Sequence, residues 1–312
     1  MTRRGWWLFL ALSVIWGLPY LLIRVAVREL TPATLVFLRT TIGALLLLPV
    51  LLRSGKVRLL LPRWRWILLF TVVEVAVPWW LLSDAERRIT SSLSGLLVAS
   101  VPLLGALLSR FTGAHEPLGP RRAAGLALGF AGVVALAGLD LSGDALAILQ
   151  MTLVVAGYAL GPLIVSRRLA DLPSLDVVAV SLGACALFYA PVAIAQLPAT
   201  MPSSAVLVAV ALLGVFCTAI AFLLFFRLIA EVGPVRATVI TYVNPAIAVL
   251  AGVLVLAEPF TLGTALGFVL ILAGSWLATG PGKRGFGGGT AAPSPEQAPT
   301  VGGEAQPRMR TG

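Results

Sequence analysis

Charge is what this chain of 312 residues has least of: Asp, Glu, Lys and Arg together make up 12% of it. That is too little polar material to cover the surface of a soluble globule. Histidine is scarcer still. With only His115, placed in a loop, no Ser-His pair or metal-ligand cluster can be assembled. No paired-Asp motif or glycine-rich phosphate loop occurs either, so nothing points to an enzyme or to a bound cofactor. The two cysteines, Cys185 and Cys217, lie inside apolar runs, which excludes a disulfide framework and a thiolate metal site. No gap between apolar runs is long enough to hold a soluble domain.

What the chain does have is hydrophobicity, 59% of residues with a mean hydropathy of +0.98, and that places it in lipid. A net charge of +10 would suggest nucleic acid if the basic residues formed a stripe on a soluble face. They lie instead in the short gaps between apolar runs. No nucleic-acid partner is expected; the bilayer and a small-molecule substrate are.

Crossing a hydrocarbon core of about 30 Å takes about 20 helical residues. Ten runs qualify: 6 to 27, 33 to 52, 66 to 83, 91 to 109, 123 to 139, 145 to 165, 175 to 197, 205 to 226, 237 to 256 and 263 to 280. They are continuously apolar, unlike the alternating strands of a membrane β-barrel. The first run follows Arg3 and Arg4 but is too long for a signal peptide and ends without a small-residue cleavage site. With the N-terminus inside, 18 Lys and Arg fall on the cytoplasmic side and 3 (Arg28, Arg87, Arg88) on the other. That bias predicts both termini inside and an even number of crossings. Residues 281 to 312, rich in Gly, Pro, Ala and Thr, read as a disordered cytoplasmic tail.

The chain also repeats itself. One constant shift superposes Glu116-Pro117 on Glu258-Pro259, Gly125 on Gly267, Ala131-Gly132 on Ala273-Gly274 and Gly138 on Gly280. Upstream, Pro102 and Pro245 fall in the fourth and ninth spans with a one-residue slip. Five spans per copy is an odd number, so the second copy enters the membrane from the opposite side. The expected fold class is an all-α integral membrane protein of ten transmembrane helices, arranged as two inverted five-helix repeats, residues 1–140 and 141–280. Inverted repeats suit secondary transport, because two similar halves can rock about a pseudo-two-fold axis and expose a central site to each side in turn.

Trp16-Gly17-x-x-Tyr20 with Arg24 in the first span, Phe37-Leu38-Arg39 in the second, the stretches Pro102 to Glu116 and Asn244-Pro245 to Glu258, and the glycine-rich spans after them resemble the paired domains of EamA-type drug/metabolite transporters. The resemblance covers residues 6 to 280. It implies a ten-helix carrier with both termini cytoplasmic, often an exporter of amino acids, small metabolites or drugs. The second half departs from the Trp-Gly element, with Ala156-Gly157-Tyr158 in its place.

Ionisable side chains at membrane depth are functional candidates by default, because leaving them unpaired in lipid is costly. Glu74, flanked by Val72, Val73, Val75 and Ala76, is the candidate for proton coupling. Arg39 is the candidate for an anionic substrate group, or else a partner that neutralises Glu74. Trp16, Tyr20, Tyr158, Tyr242 and Asn244 are further substrate-binding candidates, Asn244 being equally suited to hydrogen-bonding between helices; Gln150 is a weaker one. Arg24 reads as snorkelling to the headgroups, Trp79 and Trp80 as an interfacial aromatic belt, and the Glu-Pro pairs as helix starts with Pro at the first helical position. The glycines of the fifth and tenth spans read as packing surfaces. A channel is disfavoured by antiparallel halves in one chain. The alternative readings are an integral membrane enzyme or a flippase for a lipid-linked substrate. A homodimer is compatible with such spans.

Overall fold

The computed structural model describes residues 2–111, 119–139, 144–233, 237 and 240–279, and their regular secondary structure is helical throughout. Glu116, Pro117, His115 and the 281–312 tail lie outside the described residues. In chain order the helices are α1 (Arg3–Gly17), α2 (Pro19–Ala26), α3 (Pro32–Ser54), α4 (Val57–Leu60), α5 (Trp64–Phe70), α6 (Val77–Ala85), α7 (Ser91–Val98), α8 (Val101–Phe111), α9 (Pro120–Leu139), α10 (Ala145–Arg168), α11 (Ser174–Ala195), α12 (Ser204–Gly214), α13 (Ala221–Val232), α14 (Ile240–Leu256) and α15 (Leu262–Thr279). Helix satisfies every backbone group within the segment, which an apolar run in lipid requires.

Seven continuous helical stretches are long and apolar enough to cross a membrane: Arg3–Ala26, Pro32–Ser54, Val57–Ala85, Ser91–Leu108, Ala145–Arg168, Ser174–Ala195 and Ser204–Val232. Ile240–Leu256 and Leu262–Ala278 are shorter apolar helices. The third stretch begins at Val57, well before the expected residue 66, because Leu61-Pro62-Arg63 continues it as a 3-10 turn. Large apolar side chains point outward, with Leu187 and Leu254 each 77% exposed. Only a lipid environment makes such a surface stable, and the molecule is a multi-pass membrane protein.

Two stretches widen at matching places. Thr71–Ala76 and Val215–Ile220 are π-helical turns, their starts separated by nearly the same shift that superposes the repeats. In the first, Pro78 follows, whose ring cannot pack against an ordinary preceding turn. Side-chain hydroxyls service the carbonyls that these turns disturb. Tyr189 donates to the Ala76 carbonyl at 3.0 Å, and Thr218 to that of Leu213 at 2.8 Å.

The repeat recurs in the packing. On α9 and α15, a methyl added at Gly132 would sit 2.9 Å from the Ile271 nitrogen, and one added at Gly274 would sit 2.3 Å from the Gly129 nitrogen. The repeat shift carries Gly132 onto Gly274 and Gly129 onto Ile271, so the second contact is the first with its partners exchanged. Gly125 meets Gly274 and Ala278 while Gly132 meets Leu270 and Ile271, so the two helices run antiparallel. The glycines form a packing seam, as the sequence predicts.

Ties between helix ends follow the pattern as well. Glu29, after α2, accepts from the Ser203 nitrogen and hydroxyl at 2.7 and 2.6 Å, at the start of α12. Asp171, its counterpart in the second copy, pairs with Arg63 at 3.1 Å, at the start of α5. Thr2, the N-cap of α1, donates to Glu231 at 2.5 Å, and Asp144, the N-cap of α10, pairs with Arg88 at 3.1 Å.

Two expectations about helix ends are corrected. Pro259 is not at a first helical position: α15 begins at Leu262. Glu258 instead reaches α7, accepting from the nitrogens of Ser91 and Ser92 at 2.8 and 3.0 Å and from both hydroxyls. The positive φ of Ala257, 54°, turns the chain back to aim it there, where a carboxylate meets the free N–H groups and positive end of the helix. Nor does Arg24 snorkel outward; its guanidinium donates to the Glu86 carbonyl at the end of α6, because an unpaired backbone acceptor lies within its reach.

Candidate substrate site

Arg39 sits on α3, buried to 7% exposure among apolar helices. Its Nε donates to the Thr218 hydroxyl in the second π turn at 2.9 Å, and its guanidinium carbon lies 3.7 Å over the centre of the Trp79 ring. That stacking accounts for a further correction: Trp79 is a buried platform, not part of an interfacial belt, because α6 turns it toward the cation rather than the lipid. Planar, weakly hydrated guanidinium suits such a face better than ammonium would. No carboxylate lies at ion-pair distance from Arg39 among the described residues, although the buried Glu86 is within its electrostatic reach. The Arg39–Glu74 ion pair, one of the two readings of Arg39 from the sequence, is absent among the described residues. Trp79 borders both residues.

Glu74 lies in the first π turn. Its Oε2 is buried without a hydrogen-bond partner, pressed against α10 where a methyl added at Gly161 would come within 1.8 Å. Gly161 is thus what makes room for the carboxylate. Beside Glu74 is a cavity of about 50 Å³ lined also by Phe70, Trp79, Ser181 and Phe222. The Ser181 hydroxyl is buried and equally without a partner.

These two pairs occupy corresponding positions. The repeat shift carries Arg39 of α3 onto Ser181 of α11, and Glu74 and Thr218 sit at equivalent places in the two π turns. At one junction, Arg39 meets a hydroxyl; at the other, Glu74 and Ser181 border one small cavity. Tyr158 of α10 lies within electrostatic reach of both Arg39 and Glu74. Tyr20 of α2 is buried nearby, acted on by Tyr158 and Arg39.

Of the residues singled out from sequence, Tyr20, Arg39, Glu74 and Tyr158 converge here. Trp16 reaches the cavity only through Phe222, against whose ring it packs edge-on at 6.0 Å. Tyr242 is elsewhere, its hydroxyl donating to the Ser275 carbonyl at 3.3 Å. With its nitrogen facing the Ile240 and Ser13 carbonyls, the Asn244 amide donates to both, at 3.0 and 3.2 Å, bridging α14 and α1. Gln150 joins a network at the helix ends, donating to Asp84 at 2.8 Å. Trp79, Ser181 and Thr218 were not singled out as site residues; carrying the repeat shift from Arg39 onto Ser181 would have found one of them.

Sequence reasoning also passed over Glu86, just beyond α6. It is fully buried with both carboxylate oxygens unpartnered. Burial, reinforced by the Glu258 carboxylate and opposed by Arg24, holds it well above the usual carboxylate range.

Comparison with known proteins gives a consistent picture. The EamA-like transporter family matches residues 3–138 and, a second time, residues 145–280. The "Uncharacterized inner membrane transporter YedA" of Escherichia coli K12 is 30% identical over 276 residues, 86% of this chain and 85% of that protein. An "Uncharacterized transporter" of Archaeoglobus fulgidus is 25% identical over 87% of this chain and 97% of its own length. A solved structure described only as "Crystal structure of protein" superposes with a TM-score of 0.63 at 24% identity, covering 89% of this chain and 97% of that one, which establishes a shared fold.

Proposed function

Because the chain belongs to the EamA-like transporter family, we propose that it is a secondary active carrier moving a small metabolite, amino acid or drug outward across the cytoplasmic membrane by alternating access, coupled to protons at Glu74. Ten spans in two inverted halves, residues 1–140 and 141–280 with both termini cytoplasmic, are the architecture of this reading. The double family match supports it, as do the exchanged Gly132–Ile271 and Gly129–Gly274 contacts and the Lys and Arg bias of the loops. A relative named as an inner membrane transporter supports the location.

The observation that carries the reading is the pair of ionisable side chains, Arg39 and Glu74, held apart inside the bundle. Arg39 lacks a carboxylate partner and the Glu74 Oε2 lacks any. Two ionisable side chains kept apart inside the bundle, rather than paired, are rarely retained without a role. On this reading Arg39 receives an anionic group, Tyr20 and Tyr158 line the path between the poles, and Glu74 carries the proton, with Tyr158 the titratable neighbour facing it. Trp16 contributes through Phe222. Tyr242 and Asn244 stay candidates for the substrate path along α14.

Counterflow in proteoliposomes, screening amino acids and cationic drugs, tests the reading. Saturable exchange is expected, and Glu74→Gln should abolish its dependence on a pH gradient. Non-saturable conduction, or a pH dependence unchanged in that variant, would overturn it.

A further inference from the structure

One end of the bundle presents cations and apolar side chains together. The stretch Val57–Ala85 is 29 residues long, about 43 Å of helix at 1.5 Å per residue, against a hydrocarbon core of about 30 Å. With Arg87 and Arg88 marking its far boundary, the surplus of about 13 Å puts α4 and the start of α5 among the lipid headgroups. The residues there suit that depth. Leu59, Leu61 and Trp64 are each more than half exposed, and they are interleaved with the exposed cations Lys56, Arg58 and Arg65. Water would penalise those apolar side chains and hydrocarbon would penalise the cations. The boundary between the two accepts both.

Packing brings a further cation to the same place. Leu60 of α4 is buried with Leu169 and Leu172, just after α10. Arg63 pairs with Asp171 at 3.1 Å and donates to the Arg168 carbonyl at 3.2 Å, which matches the acid and pins the end of α10 beside α5. There the Arg168 guanidinium carbon lies 4.4 Å from the centre of the Trp66 ring, and that of Arg65 lies 5.5 Å from the centre of the Trp64 ring. A guanidinium on a ring face keeps its N–H groups in its own plane, where its edge meets oxygen acceptors. Phosphate oxygens match that fork. The repeated design does not itself require these cations: the repeat shift carries Lys56, Arg58 and Arg65 onto Pro198, Thr200 and Leu207, and relates Arg168 to Ala26.

We propose that Lys56, Arg58, Arg65 and Arg168, with Trp64 and Trp66, form a binding site for the phosphate headgroup of an anionic phospholipid, whose acyl chains lie against Leu59 and Leu61. Cations held at headgroup depth attract anionic lipid. A zwitterionic lipid brings a phosphate too, but its own ammonium group offsets the charge, so it is held less well.

Native mass spectrometry of the purified full chain, titrated separately with phosphatidylglycerol and with phosphatidylcholine of the same acyl chains, tests this. The first phosphatidylglycerol should bind at least tenfold more tightly than the first phosphatidylcholine. Arg65→Gln with Arg168→Gln should weaken phosphatidylglycerol tenfold or more and leave phosphatidylcholine as it was. Lys56→Gln with Arg58→Gln removes two exposed side chains. It should weaken phosphatidylglycerol severalfold while melting as the parent does, and it decides the matter even where the first pair fails to fold. Arg3→Gln with Arg4→Gln takes the same charge from exposed positions at the start of α1 and should bind as the parent does. Glycerol 3-phosphate in hundredfold excess should not displace the lipid, because it lacks the chains that Leu59 and Leu61 hold. Equal binding of the two lipids, or unchanged binding in Lys56→Gln with Arg58→Gln, would overturn the site. So would an equal loss in Arg3→Gln with Arg4→Gln, which would make the effect one of net charge, and so would displacement by glycerol 3-phosphate, which would make the ligand a free phosphate.

Discussion

Arg39 and Glu74 stand at the two matching junctions of one repeated design, yet they solve the problem of buried charge in opposite ways. Around Arg39 the protein supplies what a cation needs, a hydroxyl acceptor at 2.9 Å and a ring face at 3.7 Å. Around Glu74 it supplies a glycine to stand against and an open cavity. The lesson is that duplication fixes the backbone positions, the α3 and α11 sites facing the two π turns, while the side chains at those positions diverge in charge. One pole is satisfied within the protein, and the other leaves a carboxylate oxygen without a partner.

The sharpest way to break this comparison is to remove the incomplete pole. Glu74→Gln should abolish the pH-driven part of transport, read as uptake with and without an imposed gradient, and leave thermal unfolding little changed because no bond of Oε2 is lost. Next is the complete pole. Arg39→Lys keeps the charge but loses the planar stack and the Nε bond, so the half-saturation concentration should rise about tenfold, the equivalent of a charged hydrogen bond of ~1.5 kcal/mol. If Arg39→Lys matches the parent, Arg39 is structural and the two poles are not counterparts.

A smaller effect is expected from crowding. Gly161→Ala would bring a methyl within 1.8 Å of the Glu74 carboxylate, costing roughly 1–3 kcal/mol by overpacking, whereas Gly105→Ala, with nothing within 4 Å, should be close to neutral in the same unfolding assay. The smallest lies at the surface. The Glu29 carboxyl is held below its usual value by its hydrogen bonds from Ser203. A depressed acid contributes stability that is present at neutral pH and lost as pH falls through and below the ordinary carboxylate range. Parent and Glu29→Gln should therefore differ slightly in melting temperature at neutral pH and converge in acid.

Much of the fold was legible because lipid imposes one rule on every segment, that a long apolar run must be helix. The glycine seam was legible too, since Gly125, Gly132 and Gly274 belong to a spacing that recurs in both copies. The π turns were not: one extra residue in a continuously apolar run such as Val215–Ile220 leaves no break in its pattern. In the site, Glu74 and Arg39 stood out as charges among valines and leucines, but their partners did not. The Arg39–Thr218 bond joins residues 179 apart, and a mid-span threonine or serine is too common to signal anything alone. Trp79 was misread because depth along a helix is visible in sequence and the direction a ring faces is not.

The α9–α15 contact has a mechanical consequence. Where Gly129 and Gly274 meet, backbone rests on backbone, with no side chains to change rotamer and absorb displacement. A joint of that kind resists sliding yet tolerates pivoting about the point of closest approach. If the two halves tilt against each other to deliver their cargo, this is the pin about which they swing, and a bulky residue inserted there would jam the hinge while leaving both poles intact.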